Sequence, residues 1–294
     1  MSRLLIVDGH AYAYRAFHAI RDLRSPSGQP TNAIYGFVKM LEKMRVAMKP
    51  THLIVVWDGG LDKARVGMLP EYKAQRPEMP DDLKSQLDGL TAYLQAAGIA
   101  SFCADGVEAD DYIAWLAKSA AGAGADVVIA SADKDFMQLV SPRVGLLNPN
   151  DKSGEVWTAA QVAAKTGVKP EQIVGWLSLM GDAVDNIPGV PGVGPKTATA
   201  LLNEFGSVQA LFEKIDAVKP ERLRAALRGS KEIVLRNLEL IRLRDDFSER
   251  FELEKLSAKP ADVSGLRGLF QRWGFKGLLA ALPEPAQIQQ PVLI

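Results

Sequence analysis

Three short apolar runs in the first half of the chain each lead into an aspartate. Leu4–Val7 precedes Asp8, Leu53–Trp57 precedes Asp58, and Val127–Ala130 precedes Ser131, Ala132 and Asp133. Helical stretches lie between and beside them, over Ala33–Val46, Asp82–Ala97 and Asp110–Ala121, with a further short strand at Ile99–Cys103. Apolar runs this short, separated by helices, build a mostly parallel sheet covered by helices. The carboxyl ends of such strands share one edge, where ligands bind. One strand-ending aspartate is commonly a loop residue or a helix N-cap. Three of them predict convergence.

The same edge should collect more acids. Glu108, Asp110 and Asp111 open a helix, where acids are also ordinary partners of the helix dipole. Asp133 is followed by Lys134-Asp135. Asp182 and Asp185 are three apart, and a helical turn would put both on one face. Nine carboxylates in one cleft would repel, and several would take up protons unless cations neutralised them. Oxygen ligands without His or Cys suit Mg²⁺ or Mn²⁺. So many acids suggest two ions, the usual clamp on a phosphoryl group. The chain has 35 Lys+Arg and 35 Asp+Glu, a balance that argues against a polyanionic partner. Setting the nine acids aside leaves the rest basic by nine charges and removes the objection.

Organisation follows from length and pattern. A chain of 294 residues accommodates about two domains. Residues 1–160 read as an α/β core, interrupted at about 59–82 by an aliphatic-poor insertion carrying Lys63, Arg65, Tyr72, Lys73 and Arg76. Residues 161–282 read as short helices, and 283–294 as a loose Pro/Gln-rich tail. One cysteine, Cys103, and three histidines exclude a disulfide framework and make a zinc site a poor fit. Leu4–Val7 is too short for a membrane span or a leader, so a cytoplasmic protein is expected.

Two further segments invite function. Ile187–Thr197 is a glycine-rich turn entering a helix, with Gly194 at the cap and Pro195 at the first helical position. Gly189 and Gly194 have phosphate-loop spacing, but Pro195 intrudes and no strand precedes. A helix-hairpin-helix that grips a DNA backbone is the other reading, and a plain interhelical turn is a third. In Glu71–Arg76, basic groups beside Tyr72 suit phosphate contact and base stacking, or merely a solvated surface. Tyr12, Tyr14 and Arg15 offer a similar mixture.

The segments VDGHAYAYRAFHA, VVWDGG, PEYKAQRPEMPDDL, GVEADD, SADKDFMQLV and MGDAVDNIPGVPGVGPKTA together resemble the 5′-nuclease domain of bacterial DNA polymerase I, in the flap endonuclease family, over about residues 3–280. The resemblance implies a PIN-like nuclease core, a helical arch and a helix-hairpin-helix at 187–205. It implies a metal-dependent 5′-3′ exonuclease and flap endonuclease, acting on DNA where a duplex meets a 5′ single strand. By motif, Asp8, Asp58, Glu108 and Asp110 resemble ligands of a first ion. Asp133, Asp135, Asp182 and Asp185 resemble the group around a second, with Asp111 between. Lys73 and Arg76 resemble the basic pair that steers the scissile phosphate. Arg15 and Tyr72 would support the strand. Gly189, Gly192, Gly194 and Lys196 would hold the duplex, where the family often binds K⁺ through backbone carbonyls.

His10, Ala11 and Ala64 depart from the family pattern, which touches stacking in the arch and not the chemistry. No polymerase follows, so a stand-alone nuclease or an isolated domain is expected, monomeric and nucleoid-associated, with RNA/DNA primers among its substrates. A PIN-type ribonuclease and a silent junction-binding protein are the competing classes. Gln290–Ile294 resembles peptides that dock in sliding clamps, with packing on the helical region as the plain alternative.

Overall fold

The computed structural model describes residues 2–151 and 153–284; the clamp-like segment Gln290–Ile294 lies outside them. The elements run β1 (Arg3–Asp8), α1 (Gly9–Ala19), α2 (Asn32–Met48), β2 (His52–Val56), α3 (Lys63–Met68), α4 (Asp81–Lys84), α5 (Leu87–Ala96), β3 (Ala100–Phe102), α6 (Ala109–Gly122), β4 (Asp126–Ala130), β5 (Val144–Leu147), β6 (Val156–Trp157) and α7 (Ala159–Thr166). Then come α8 (Ile173–Met180), β7 (Gly181–Asp182), β8 (Ile187–Pro188), α9 (Pro195–Phe205), α10 (Val208–Glu213), α11 (Glu221–Gly229), α12 (Lys231–Ile241), α13 (Val263–Trp273) and α14 (Lys276–Ala280).

The sheet has the order β3-β2-β1-β4-β5-β6, parallel except for β6. Alternation along β1 sends Leu4 and Ile6 to one face and Leu5 and Val7 to the other. Both faces are covered, which is why the strands read as unbroken apolar runs. α6 and α8 lie on the first face; α1, α2 and α5 lie on the second.

Four features differ from the sequence reading. Strands β5 and β6 extend the sheet beyond β4. The single helix expected over Asp82–Ala97 is broken at Ser85-Gln86, where the Gln86 Oε1 accepts from the amides of Ala33 and Ile34 at 2.8 and 3.2 Å. That side chain satisfies two orphan donors at the start of α2. Asp182 and Asp185 are not on a helix: β7 and β8 form a two-residue antiparallel ladder with a tight turn between them, and Asn186 sits at φ +57°. Finally, α13 does not join the helical region. Leu266, Phe270 and Trp273 pack with Leu90 and Tyr93 of α5, on the second face of the sheet.

The chain reaches α13 along residues 242–262, which cross the outside of the core. Phe247 and Phe251 pack on Trp115 of α6. The backbone then pairs at His52 with Ser257 and at Gly98 with Lys259. Both bodies are thereby tied by their own chain.

Candidate active site

The acids converge at the carboxyl edge of the sheet. Asp8 ends β1 and caps α1, its Oδ1 accepting from the Ala11 amide at 3.0 Å. Its Oδ2 accepts from Ser131 Oγ at 2.7 Å, and that hydroxyl also accepts from the Asp133 amide. Burial, with help from Asp133 and Asp58 and against these hydrogen bonds, pushes the Asp8 carboxyl up to about 6. Burial and the neighbouring carboxylates likewise raise Asp110, Asp133 and Asp135. Asp110 feels Asp133, Asp8 and Glu108, while Asp133 also feels Asp185. Asp133 therefore takes part in the repulsion on both sides, with Asp110 and Asp8 and with Asp185.

Beyond it, one oxygen each from Asp135, Asp182 and Asp185 lies within 4.8 Å of the others, all three side chains buried. The Asp135 Oδ1 is buried without a hydrogen-bond partner. A buried carboxylate oxygen left unpaired among like charges is costly, and a hard divalent cation is the group that would satisfy it. The donor set fits such an ion. Asp58 is half-buried at the rim, its Oδ1 held by the Gly60 amide at 3.0 Å. His10, the departure from the family pattern, has a job here: its Nδ1 accepts from the Asp58 amide at 3.0 Å, and burial lowers its pKa so that the ring stays neutral.

Asp111 is not part of this cleft. Its two oxygens accept from Arg65 Nη1 and Nη2 at 2.7 and 2.8 Å, and Oδ1 also accepts from the Arg244 amide. One helical position separates it from Asp110, which turns it away by about 100° on a 3.6-residue helix. Arg65 also donates to the carbonyls of Leu240 and Arg242 and to Glu108 Oε2. The expected metal ligand is thus a structural ion pair binding α3, α6 and the end of α12.

The insertion lies down on the acids, and the six-residue α3 is its regular helix before α4 begins at Asp81. Tyr72, expected to support a strand, is buried and donates to Glu108 Oε2 at 3.2 Å. Lys73 is buried with its Nζ 3.2 Å from Glu108 Oε1 and 3.9 Å from Asp110 Oδ2. Burial works against its charge, but Asp110 and Glu108 hold it firmly protonated. Arg76 Nη2 meets Asp185 Oδ1 at 2.6 Å, and Lys134 Nζ meets Asp182 Oδ1 at 2.7 Å. Lys134 is a participant the sequence pattern did not single out, although its place between Asp133 and Asp135 marked it. Arg15 is exposed and bonded to Asn150 Oδ1.

The glycine-rich turn has two kinds of glycine. A Cβ on Gly189 would overlap the Met180 carbonyl, so this residue serves packing. Gly192 has φ +80° and faces open space, as does Gly194. Lys196 is exposed in the first turn of α9. The turn is held from inside by Asn237, whose Nδ2 donates to the carbonyls of Ser178 and Pro188.

A parallel sheet with acids gathered on its carboxyl edge, followed by a compact helical domain, defines a resolvase-like nuclease domain with its helical companion. Residues 3–167 match the family described as 5′-3′ exonuclease, N-terminal resolvase-like domain, and residues 168–264 match its C-terminal SAM fold. The chain belongs to the 5′-3′ exonuclease family. It is 40% identical to a 5′-3′ exonuclease of Aquifex aeolicus, covering 95% of this chain and 94% of that one. It is 37% identical to DNA polymerase I of Bacillus caldotenax over 99% of this chain, spanning about a third (33%) of that protein's length. The structure resembles that of the flap endonuclease of bacteriophage T5 complexed with DNA and metal ions, with a TM-score of 0.67 and 25% identity over 82% of this chain and 89% of the other.

Proposed function

We propose that this chain is a structure-specific 5′ nuclease that hydrolyses DNA phosphodiesters beside single-strand/duplex junctions, with two divalent ions, Mg²⁺ or Mn²⁺. The observation that carries the reading is the convergence of Asp8, Asp110, Asp133, Asp135, Asp182 and Asp185 beneath a segment bearing Lys73 and Arg76. When bound, the ions supply charge neutralisation at phosphorus and lower the pKa of water. Glu108, fixed by Arg65 and Tyr72, sets the position of Asp110 and Lys73 at the same edge. Lys73 and Arg76 lie against Asp110 and Asp185, where their charge would stabilise the transition state of a phosphate bound over the acids. Gly192, Gly194 and Lys196 present backbone amides and a cation to a duplex backbone without reading bases, with K⁺ at the same turn. RNA/DNA primers at such junctions are substrates in this reading, and replication and repair in the cytoplasm its setting.

The test is cleavage of a 5′-labelled flap in Mg²⁺, beside a single-stranded RNA. Parent protein should cut the flap near its junction and spare the RNA. Asp110→Ala should abolish cutting while still binding the flap in Ca²⁺. RNA cleavage in place of flap cleavage would favour the ribonuclease class, and an Asp110→Ala rate within about threefold of the parent, roughly 0.7 kcal/mol of barrier, would remove the acids from the chemistry.

A further inference from the structure

The acidic cleft carries its own cations. Arg76 is paired with Asp185, Lys134 with Asp182, and Lys73 with Glu108 and Asp110. Two of the three acids that could share an ion are therefore engaged by side-chain cations, and an incoming divalent ion must work against both charges. The three cations differ in how they are held. Lys134 opens the short 3-10 helix Lys134–Leu139, so its backbone is fixed between Asp133 and Asp135, with its side chain 33% exposed. Lys73 is buried, in a left-handed conformation at φ +56° that a non-glycine residue adopts at a cost. Arg76 differs from Lys134 in its backbone rather than its exposure: its side chain is 38% exposed, and it follows a run of turns and lies outside any helix or strand.

Resting on the nuclease reading above, we propose that Arg76 is an exchangeable counter-cation, which leaves Asp185 for a DNA phosphate and thereby admits a divalent ion to the Asp135–Asp182–Asp185 group. A guanidinium presents the same planar fork to a phosphate as to a carboxylate, so the exchange replaces one charged contact by another. Its consequence is a thermodynamic coupling. DNA tightens ion binding by drawing off the competing charge, and by linkage the ion tightens DNA binding by the same factor. The cleft then reaches its full charge only when substrate is present. Lys134, carried on the 3-10 helix that also holds Asp135, contributes in this scheme an opposing charge with and without DNA and no coupling.

Calcium binding to the whole chain, measured by titration calorimetry with and without a short 5′-flap DNA, tests the exchange without relying on turnover. Electrophoresis confirms that the DNA remains intact. Arg76→Met is the main variant, because methionine offers the ion no oxygen; Arg76→Ala is the second, and circular dichroism establishes that each is folded. Without DNA, both should bind Ca²⁺ about tenfold more tightly than the parent, or ~1.4 kcal/mol. The parent should gain affinity when DNA is added, and the Arg76 variants should gain much less. Lys134→Ala should also bind more tightly alone yet keep the parent's gain. Unchanged or weaker Ca²⁺ binding by the Arg76 variants, or an undiminished gain on adding DNA, overturns the exchange. If the parent meanwhile binds Ca²⁺ and cuts flaps in Mg²⁺, the nuclease reading stands without it. A parent that binds no divalent ion overturns both.

Discussion

Asp110 and Asp111 are chain neighbours with opposite environments. The first faces Asp8, Asp133 and Lys73 in the cleft, and the second is locked to Arg65 by two parallel hydrogen bonds of 2.7 and 2.8 Å. The ladder from Asp111 through Arg65 to the carbonyls of Leu240 and Arg242 supports the floor on which Glu108 and Asp110 stand.

Asp111→Ala should therefore behave as a stability variant. Removing the carboxylate strands the buried Arg65 guanidinium, at a cost of about 3–5 kcal/mol. Urea unfolding should show that loss. Calcium affinity of the protein that remains folded should stay within about twofold, or roughly 0.4 kcal/mol. A large loss of metal affinity with unchanged unfolding would return Asp111 to the metal set.

The metal-free chain should lose stability as pH rises. The Asp8 carboxyl has an ordinary value of 3.8 and sits at about 6 in the folded protein, so folding favours its protonated form. Its stabilising contribution is complete below about 4 and is lost as pH passes through about 6, on the order of 3 kcal/mol for two units. Asp110, Asp133 and Asp135 shift in the same direction. Unfolding in EDTA across pH 5 to 8 should show the decline, and saturating Mg²⁺ should flatten it by replacing protons as the neutralising charge. A chelated chain that grows more stable over that range would contradict the assignment.

Gly192→Val and Lys196→Ala should weaken duplex binding by similar factors for unrelated sequences. Valine is strained at φ +80° and projects from the exposed face of the turn. Loss of the Lys196 charge should reduce the slope of log affinity against log salt by about one. Fluorescence anisotropy with two duplexes over a salt series measures both. Sequence-selective loss would argue against a grip on the backbone.

The sequence was legible where chemistry and local pattern coincide. The runs before Asp8, Asp58 and Asp133 are strands or strand ends at one edge, because side-chain alternation and short apolar length leave few other folds. The cap at Gly194 with Pro195 is where backbone rules place it. What was not legible depends on partners far along the chain. Arg65 meets Leu240 across 175 positions, Ser131 meets Asp8 across 123, and Asn237 braces a turn 49 residues earlier. No local spacing encodes such pairs. The Asp182–Asp185 spacing fits a helical turn and a tight reversal equally well, and the chain uses the reversal, where Lys73 can donate its amide to the Asp185 carbonyl at 3.0 Å.

The crossing segment 242–262 has a metrical consequence. A nuclease that grips a duplex in one place and cuts in another measures DNA by the distance between the two. That distance is a gauge only if its ends do not drift. Here the hairpin and the acids are joined at α7 and again by the returning strand of chain that seats Trp273 behind the sheet. Ties through Arg65, Asn186 and Arg244 add cross-bracing. In the proposed nuclease, a single-point junction would let the helical domain swivel and blur the cut over neighbouring nucleotides, whereas a body closed on itself would fix where along the strand the phosphate falls.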